Sequence, residues 1–273
     1  MRYLFNHWVR ISRALSQADK ILLALDYDGT IAPIVSQPDK ATLSLRMRKI
    51  LKNVSGRNNV RVAVISGRSL RDVKGLVGIG GIFYAGNHGL EINLPGVRFV
   101  HPAAIKARPL LRKIKRSLQN KADGIGGVIF EDKGLVLALH YRRVDKRIVP
   151  RLKEIFESVF CNYSGYGLLD VGRGKQVWEI RPRTSWDKYS ALQVIGKSVF
   201  VKGSPGLTIY IGDDLTDEDI FCRMTPKDIS VYVGPPNNKR CRSRARYYLN
   251  GVSEVRKFIE AIDSQQRSSA LSH

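Results

Sequence analysis

Residues 21–30 of the chain read Ile-Leu-Leu-Ala-Leu-Asp-Tyr-Asp-Gly-Thr, an apolar run that ends abruptly in two aspartates and a Gly-Thr pair. So short an apolar run suits a strand that is covered on both faces of a sheet better than it suits a helix. Asp26 and Asp28 follow directly, where such a strand would leave the sheet. The stretch therefore predicts a buried strand with a polar site at its carboxyl end.

Other short runs repeat this pattern of an apolar strand closed by glycine or polar residues. They are residues 60–65 before Ser66-Gly67-Arg68, residues 207–211 before Gly212-Asp213-Asp214, and residues 229–233 before Gly234-Pro235-Pro236. Between them, apolar residues recur at helical spacing, as they do after Trp186-Asp187-Lys188. Alternating strands and helices predict an α/β fold with a doubly wound parallel sheet, in which ligands bind at the carboxyl ends of the strands.

The middle of the chain has a different pattern. A basic helical stretch near 103–121 precedes apolar runs at 128–130 and 135–141, a second helix near 145–160, and a last run at 176–180. Such a pattern suits a small α+β insert. We therefore predict a core of residues 1–102 plus 184–273, and an inserted α+β domain of residues 103–183. The first 20 residues predict an amphipathic helix that leads into the first strand of the core.

Composition excludes several classes of protein. Hydrophobic residues make up 43% of the 273-residue chain and charged residues 26%, as in ordinary globular proteins. No apolar run approaches the roughly 18–20 residues of a membrane-spanning helix, and charges interrupt the N-terminus where a secretory signal needs an apolar centre. The three cysteines have no CxxC spacing and indicate neither a zinc site nor a disulfide framework. We predict a cytoplasmic protein with no membrane partner.

The charge is unusually basic, at +22 with a pI near 10.2. Residues 92–122 contain no acidic residue, and a second basic cluster covers residues 239–246. Such a field attracts polyanions and speeds the arrival of anionic substrates. A polyanion-binding protein is thus one hypothesis. Because no nucleic-acid module signature accompanies the basic runs, we do not expect a nucleic-acid partner.

The paired aspartates favour phosphoryl transfer. An ionised Asp is a competent nucleophile toward phosphorus, and a second carboxylate two residues along can protonate the leaving oxygen and then deprotonate water. Two anions would repel a phosphate, which a Mg²⁺ ion held by carboxylates would offset. Asp213 and Asp214 can complete this site. The alternative is that Asp26 and Asp28 are turn or capping residues, and that Lys188 is an ordinary surface lysine.

Asp-Tyr-Asp-Gly-Thr at 26–30, Ser-Gly-Arg at 66–68, Lys188, and Gly-Asp-Asp-Leu-Thr-Asp-Glu-Asp at 212–219 occur in this order. Together they resemble the four motifs of the haloacid dehalogenase superfamily. The resemblance implies an aspartyl-phosphate on Asp26, with Asp28 as general acid and base. Ser66 would then hydrogen-bond the phosphoryl oxygens, and Lys188 would neutralise charge.

The same resemblance implies a Mg²⁺ site made by Asp26, the backbone carbonyl of Asp28, and Asp213, with Asp214 and Asp217 in supporting positions. Helix chemistry offers another interpretation of the acids at 217–219. Thr216 is a candidate N-cap, and acids in a first helical turn complement the helix dipole. We favour this interpretation for Glu218 and Asp219, and leave both open for Asp217.

Further motifs resemble one family within the superfamily, the trehalose-6-phosphate phosphatases. They are residues 25–34, 85–92, 131–133 with 140–142, 174–182 and 212–221. The resemblance implies hydrolysis of trehalose 6-phosphate, the last step of trehalose biosynthesis, with the substrate supplied by a separate synthase. It also implies that the α+β insert is a substrate-specificity cap. The alternative is another sugar phosphate, such as a sucrose, mannosylglycerate or glucosylglycerol phosphate.

By resemblance, the residues that face the sugar or phosphate come from both parts of the chain. They are Gly67, Arg68, His88, Glu131, Lys133, Arg142, Lys175 and Glu179. Sugar hydroxyls need such polar partners for discrimination. The alternatives stay open here as well, because Glu and Lys at these spacings are also ordinary cross-strand pairs, and His88 is equally explained as a turn histidine.

Overall fold

The computed structural model describes residues 1–35, 41–174, 176–201, 203–235 and 243–271. It divides the chain into two compact units. Unit 1 comprises Met1–Phe99 and Trp186–His273, and unit 2 comprises Val100–Ser185. No helix in the described ranges is both long enough and apolar enough to cross a membrane.

Strands and helices alternate through most of the chain. The strands are β1 (Arg2–Tyr3), β2 (Lys20–Leu25), β3 (Val60–Ile65), β4 (Phe83–Gly86), β5 (Glu91–Leu94), β6 (Val97–Val100), β7 (Ile129–Asp132), β8 (Leu137–His140), β9 (Leu169–Gly174), β10 (Val177–Pro182), β11 (Gly206–Gly212), β12 (Ile229–Val233) and β13 (Tyr247–Leu249). The helices are α1 (Trp8–Gln17), α2 (Leu45–Ser55), α3 (Leu70–Val77), α4 (Pro102–Lys121), α5 (Val149–Ser164), α6 (Lys188–Val199), α7 (Leu215–Phe221) and α8 (Val252–Leu271).

Unit 1 is built on a nine-stranded sheet of order β1-β13-β12-β11-β2-β3-β4-β5-β6. The strands from β1 to β4 in this order pair in parallel, and β5 pairs antiparallel with β4. β2 lies in the middle, with Leu25 in register with Ile211 of β11 and Val64 of β3. The carboxyl ends of these three strands therefore meet at one edge of the sheet.

Both faces of this sheet are buried, which explains why β2 has no polar residue after Lys20. Ile21, Leu23 and Leu25 pack into the core on the side of α1, α2, α3 and α8. Leu22 and Ala24 point the other way and pack with residues of α6 and α7. Helices on both faces of a parallel sheet make a doubly wound α/β core. The predicted fold class is confirmed, and so is the amphipathic helix near the N-terminus, α1.

Unit 2 is a smaller α+β unit. Its antiparallel sheet has the order β7-β8-β10-β9. α4 and α5 cover one face of this sheet, with Ile114 and Phe156 packed against Leu139 and Trp178. The cations of α4 lie outside this core. Lys106, Arg108, Arg112, Lys113, Arg116 and Lys121 are exposed, whereas Lys115 pairs with Asp132 at 3.0 Å.

The core around β2 gives a direct test of the fold. Leu23 is fully buried, so Leu23→Ala should lower the free energy of unfolding by about 2–5 kcal/mol. Leu45→Ala is the control, because Leu45 is 82% exposed at the start of α2. It should change stability by no more than about 0.5 kcal/mol. Urea unfolding measures both, and similar losses for the two variants would contradict this packing.

Candidate active site

Three polar residues lie at the carboxyl edge of the unit 1 sheet because each follows a central parallel strand. Asp26 comes after β2, Ser66 after β3, and Asp213 after β11. Asp26 is 5% exposed and Ser66 is 1% exposed. The backbone N–H of Asp26 donates to the carbonyl of Ile211, which continues the ladder past the end of β2. The sheet thus fixes the backbone positions of these three residues.

Lys188 is the cation of the site. It is the first residue of α6, where Asp187 caps the helix by accepting the backbone N–H of Ser190 at 2.8 Å. Its Nζ donates to Oδ1 of Asp26 at 2.7 Å and to Oδ1 of Asp217 at 2.8 Å. The Lys188 side chain is only 3% exposed. A lysine this deeply buried needs partners of opposite charge, so the surface-lysine alternative does not hold.

Asp217 has all its acceptor positions occupied. Oδ1 accepts from Lys188 and from the hydroxyl of Tyr210 at 2.7 Å, and Oδ2 accepts the backbone N–H groups of Asp213 and Asp214, each at 3.0 Å. A carboxylate has about four lone-pair sites, and four donors fill them. Asp217 therefore orients Lys188 and the loop after β11, and it has no lone pair to spare for a metal.

The predicted N-cap of α7 was wrong. α7 begins at Leu215 rather than after Thr216, and its N-cap is Asp214, which forms a reciprocal capping box with Asp217. The sequence suggested Thr216 because Thr is a good capping residue, but the carboxylate of Asp214 is better placed to accept the first free N–H groups. Glu218 lies in the first turn of α7, where its charge suits the helix dipole.

Burial governs the electrostatics of the acidic cluster. Burial raises the pKa of Asp26 to about 7, with Asp217 adding to the increase and Lys188 opposing it. Burial, together with the charges of Asp26, Asp217 and Asp214, raises the pKa of Asp213 to about 8. Burial alone would lower the pKa of Lys188, but its two carboxylate partners raise it above the ordinary value. One lysine thus leaves excess negative charge at the site.

The donor set fits a hard divalent cation. Carboxylate oxygens of Asp26, Asp213 and Asp217 lie within 4.8 Å of one another. Gly29 lets Asp213 come this close, because it has a φ of +82° and a Cβ there would collide with the Asp213 carboxylate. Mg²⁺ is bound through one or two carboxylates plus water and phosphate oxygens. With the oxygens of Asp217 occupied, Asp26 and Asp213 are the carboxylates that can bind it.

Asp28 is held by Arg68, a pairing that the sequence did not predict. The guanidinium Nε and Nη2 donate to the two Asp28 carboxylate oxygens, both at 2.6 Å. The Asp28 side chain remains 39% exposed. Ser66 lies in the same loop, where its Oγ accepts the backbone N–H of Arg68 at 3.2 Å. Asp28, Ser66 and Arg68 are therefore brought together, with Asp28 open to solvent on one side.

His88 belongs to this edge of the sheet too. It adopts a φ of +55° in the turn after β4. Its ring lies against Gly67, where a Cβ would be 2.7 Å from the ring atoms. The carbonyl of Ser66 accepts the backbone N–H of His88 at 3.0 Å. A strained turn of this kind is typical of sites where backbone geometry serves a function.

The predicted residues of unit 2 form pairs on its sheet. Lys133 Nζ donates to Glu179 Oε1 at 2.9 Å, and His140 Nε2 lies 2.8 Å from Glu131 Oε2. Glu131 and Glu179 both lie beside Ala138, one from each neighbouring strand, so they share a face. The guanidinium Nε of Arg142 donates to the side chain of Gln176 at 3.2 Å. Lys175 lies outside the described residues.

Comparison with known proteins decides the family. The family model for trehalose-phosphatases matches residues 24–253. The chain belongs to the trehalose-phosphatase family. A curated relative, trehalose-phosphate phosphatase B of Arabidopsis thaliana, is 34% identical over 280 residues, which cover 95% of this chain and 73% of the relative. The resemblance predicted from the motifs is thereby confirmed.

Solved structures show that the chain has the haloacid dehalogenase-like fold. The C-terminal domain of the Candida albicans trehalose-6-phosphate phosphatase matches with a TM-score of 0.74 at 23% identity, covering 96% of this chain and 98% of that one. A haloacid dehalogenase-like hydrolase from Bacteroides thetaiotaomicron matches with a TM-score of 0.60 at 19% identity, covering 89% and 99%. These likenesses concern the fold, whereas the family membership rests on the sequence matches.

The anchoring of Asp217 can be tested through Tyr210. Tyr210→Phe removes a hydrogen bond to a buried carboxylate and should cost about 1.5–3 kcal/mol of stability. Tyr247→Phe is the matched control, since Tyr247 is also buried but its hydroxyl makes no hydrogen bond to a described residue. It should cost less than about 0.5 kcal/mol. Chemical denaturation measures both, and equal losses would contradict the proposed anchoring.

Proposed function

We propose that this chain hydrolyses trehalose 6-phosphate to trehalose and inorganic phosphate, with Mg²⁺ and through an aspartyl-phosphate on Asp26. The observation that carries the proposal is the Asp26 carboxylate held by Lys188 at the end of β2, with Asp213 beside it. We also propose that the protein acts in the cytoplasm on substrate from a separate synthase, as the last step of trehalose biosynthesis.

In the first step, a carboxylate oxygen of Asp26 attacks phosphorus and the ester bond to the sugar oxygen breaks. Lys188 fixes the rotation of the Asp26 carboxylate through Oδ1 and supplies a positive charge next to the phosphoryl group. Asp28 begins this step in its protonated form and gives its proton to the leaving sugar oxygen. Because both Asp28 oxygens accept hydrogen bonds from Arg68, this pair must separate first, and the incoming phosphate offers Arg68 a new partner.

In the second step, Asp28 takes a proton from water, the water oxygen attacks phosphorus, and the bond between phosphorus and Asp26 breaks. Phosphate leaves and Asp26 returns to a carboxylate. Ser66, whose hydroxyl lies in the same loop as Arg68, hydrogen-bonds the phosphoryl oxygens. Positioning and charge neutralisation are the main tasks of a protein in phosphoryl transfer.

Asp26, Asp213 and the backbone carbonyl of Asp28 would hold Mg²⁺, with Asp214 and Asp217 in support. When bound, the ion neutralises the charge that the cluster and the phosphoryl oxygens share. The raised pKa values of Asp26 and Asp213 fit this assignment. Burial is the main cause of both increases, neighbouring carboxylates raise the pKa of Asp213 further, and a bound cation would favour the ionised form of both groups.

We propose that unit 2 is the specificity cap, and that the disaccharide is bound by Glu131, Lys133, Arg142, Lys175 and Glu179. The described members of this set form exchangeable polar pairs on the unit 2 sheet, which sugar hydroxyls could replace one for one. Gly67, Arg68 and His88 would contact the phosphate end from unit 1. The choice of trehalose over other sugars rests on the family relationship.

The substrate assignment predicts a strict preference. With Mg²⁺, the rate of phosphate release from trehalose 6-phosphate should exceed that from sucrose 6-phosphate or glucose 6-phosphate by at least about tenfold. A different sugar would leave polar groups of the site without hydrogen-bond partners, and this lowers the rate by a factor of that size or more. EDTA should abolish release. A tenfold preference for another ester would overturn the substrate while leaving the chemistry in place.

The nucleophile assignment predicts that Asp26→Asn abolishes turnover while the protein stays folded. The amide oxygen can still accept the hydrogen bond from Lys188, but the amide is not a nucleophile toward phosphorus. We expect a loss of at least about 10³-fold in kcat, in the range found when a nucleophile is removed. Phosphate release measures turnover and a thermal melt reports the fold. Residual activity within tenfold of the unaltered protein would rule out Asp26 as the nucleophile.

Proton linkage predicts that Mg²⁺ stabilises the protein more at high pH. The folded-state pKa values of Asp26 and Asp213 are raised above the unfolded values, so near pH 6 the folded protein holds protons that Mg²⁺ must displace. Each pH unit below such a pKa weakens binding by up to about 1.4 kcal/mol. The increase in Tm with Mg²⁺ should therefore be larger near pH 8.5 than near pH 6.

The control for this linkage is Asp213→Asn, in which the Mg²⁺-dependent increase in Tm should be small at both pH values. Differential scanning calorimetry with and without Mg²⁺ makes the comparison. An equal increase at the two pH values in the unaltered protein would contradict protonation of the binding carboxylates.

A further inference from the structure

Unit 2 contains a cavity of about 190 Å³ that the proposed reaction does not use. It lies between α5 and the strands β9 and β10, and its lining includes Phe156, Phe160, Trp178, Lys153, Arg173 and Cys161. An apolar cavity of about 150 Å³ is large enough to bind benzene. The cavity in unit 2 therefore has room for one ring or a small fused pair.

The cavity lies on the other face of the sheet from the proposed sugar-binding residues. Trp178 is in register with Leu139 and Arg173, and Leu139 belongs to the core under α4 and α5. Glu179, the next residue along β10, points to the opposite face because strand side chains alternate. The cavity is thus a separate site within unit 2.

The wall of the cavity is aromatic. Trp178 is 7% exposed, and its ring packs against Tyr141 and Phe156 at centroid distances of 4.4 and 5.1 Å. Such a wall suits a flat aromatic ring, because aromatic rings pack favourably in offset-stacked or edge-to-face arrangements.

The charged residues of the lining are Lys153, Arg173 and Glu157, so the cavity carries a net positive charge. Arg173 is exposed and has no ion pair within the described ranges. Lys153 is close to Glu157, but at 3.5 Å in an exposed i,i+4 pair, which is a weak interaction. A free guanidinium beside an aromatic wall favours a planar anion, because the guanidinium binds a carboxylate through two parallel hydrogen bonds.

We propose that this cavity binds a small aromatic carboxylate. The ring lies against Trp178, Phe156 and Phe160, and the carboxylate accepts hydrogen bonds from Arg173, with Lys153 adding charge. The ligand contacts Trp178 on one face of β10. The next residue, Glu179, points to the opposite face, which is the proposed sugar-binding face. The assignment does not depend on the proposed function, since the binding is measured without substrate.

Cys161 offers a reporter for this site, because it lines the cavity and its thiol is free and exposed. In a Cys222→Ser, Cys241→Ser background, the rate of maleimide labelling at Cys161 is measured as indole-3-carboxylate is added. We expect saturable protection of at least about fivefold. Indole-3-carboxamide, of the same shape without the charge, should need at least about tenfold higher concentration, since a hydrogen bond between charged groups is worth this factor or more.

Two exposed arginines give the matched variants. Arg173→Gln should raise the half-protecting concentration of the carboxylate at least about tenfold, whereas Arg151→Gln, on the same helix as Cys161 but away from the cavity lining, should not change it. Equal protection by the acid and the amide overturns the proposal, and so does an absence of protection at millimolar ligand. The comparison of indole-3-carboxylate with indole-3-carboxamide uses a protein with Arg173 intact, so it tests the proposal even if Arg173→Gln misfolds.

Discussion

The buried ammonium of Lys188 between Asp26 and Asp217 is the interaction on which the rest of unit 1 depends. Removing a charge from water costs several kcal/mol, so a lysine that is 3% exposed exists only because two carboxylates meet it at hydrogen-bond distance. Those carboxylates come from the end of β2 and the start of α7, and the lysine starts α6. The parallel sheet brings these points together, and the ion pair in turn ties the helices to the sheet edge. One cation nevertheless leaves excess negative charge at the site, which is the physical reason for a divalent metal.

The sequence predicted the parts of this site that strand ends determine. A short apolar run with no polar residue favours a strand covered on both faces. Residues that follow neighbouring parallel strands lie at one edge of the sheet, so the sequence predicts that Asp26, Ser66 and Asp213 lie close together. Partners contributed by helices could not be placed in the same way. The position of Asp217 in the sequence fits an acid in a first helical turn as well as it fits a residue of the site. Only the folded structure shows that the Asp217 carboxylate accepts hydrogen bonds from Lys188 and Tyr210. The Arg68–Asp28 pair is also invisible in sequence, because either residue alone suits a phosphate site.

Unit 2 shows where sequence patterns fail for weaker elements. β9 was not predicted, because Leu169–Gly174 contains two glycines and an aspartate, which are rare in strands. Its hydrogen bonds with β10 stabilise the strand in spite of this low β propensity. The basic helix α4 was predicted, since apolar residues such as Ala107, Leu111 and Ile114 recur at helical spacing and form its buried face. Its cations point outward and contribute little to the core. The two faces of the unit 2 sheet have different roles in this account: one carries polar pairs suited to a sugar, and the other carries the core and the aromatic cavity.

The most direct test of the central claim is to trap the intermediate on Asp26. The protein is quenched during steady-state turnover of trehalose 6-phosphate and treated with sodium borohydride, which reduces an acyl phosphate to the alcohol, and the peptide that contains residue 26 is then sequenced by mass spectrometry. Homoserine is expected at position 26 when substrate and Mg²⁺ are both present, and unmodified aspartate when either is omitted. Reduction of another carboxylate instead, or of none at any position despite full turnover, would show that the phosphoryl group does not pass through Asp26.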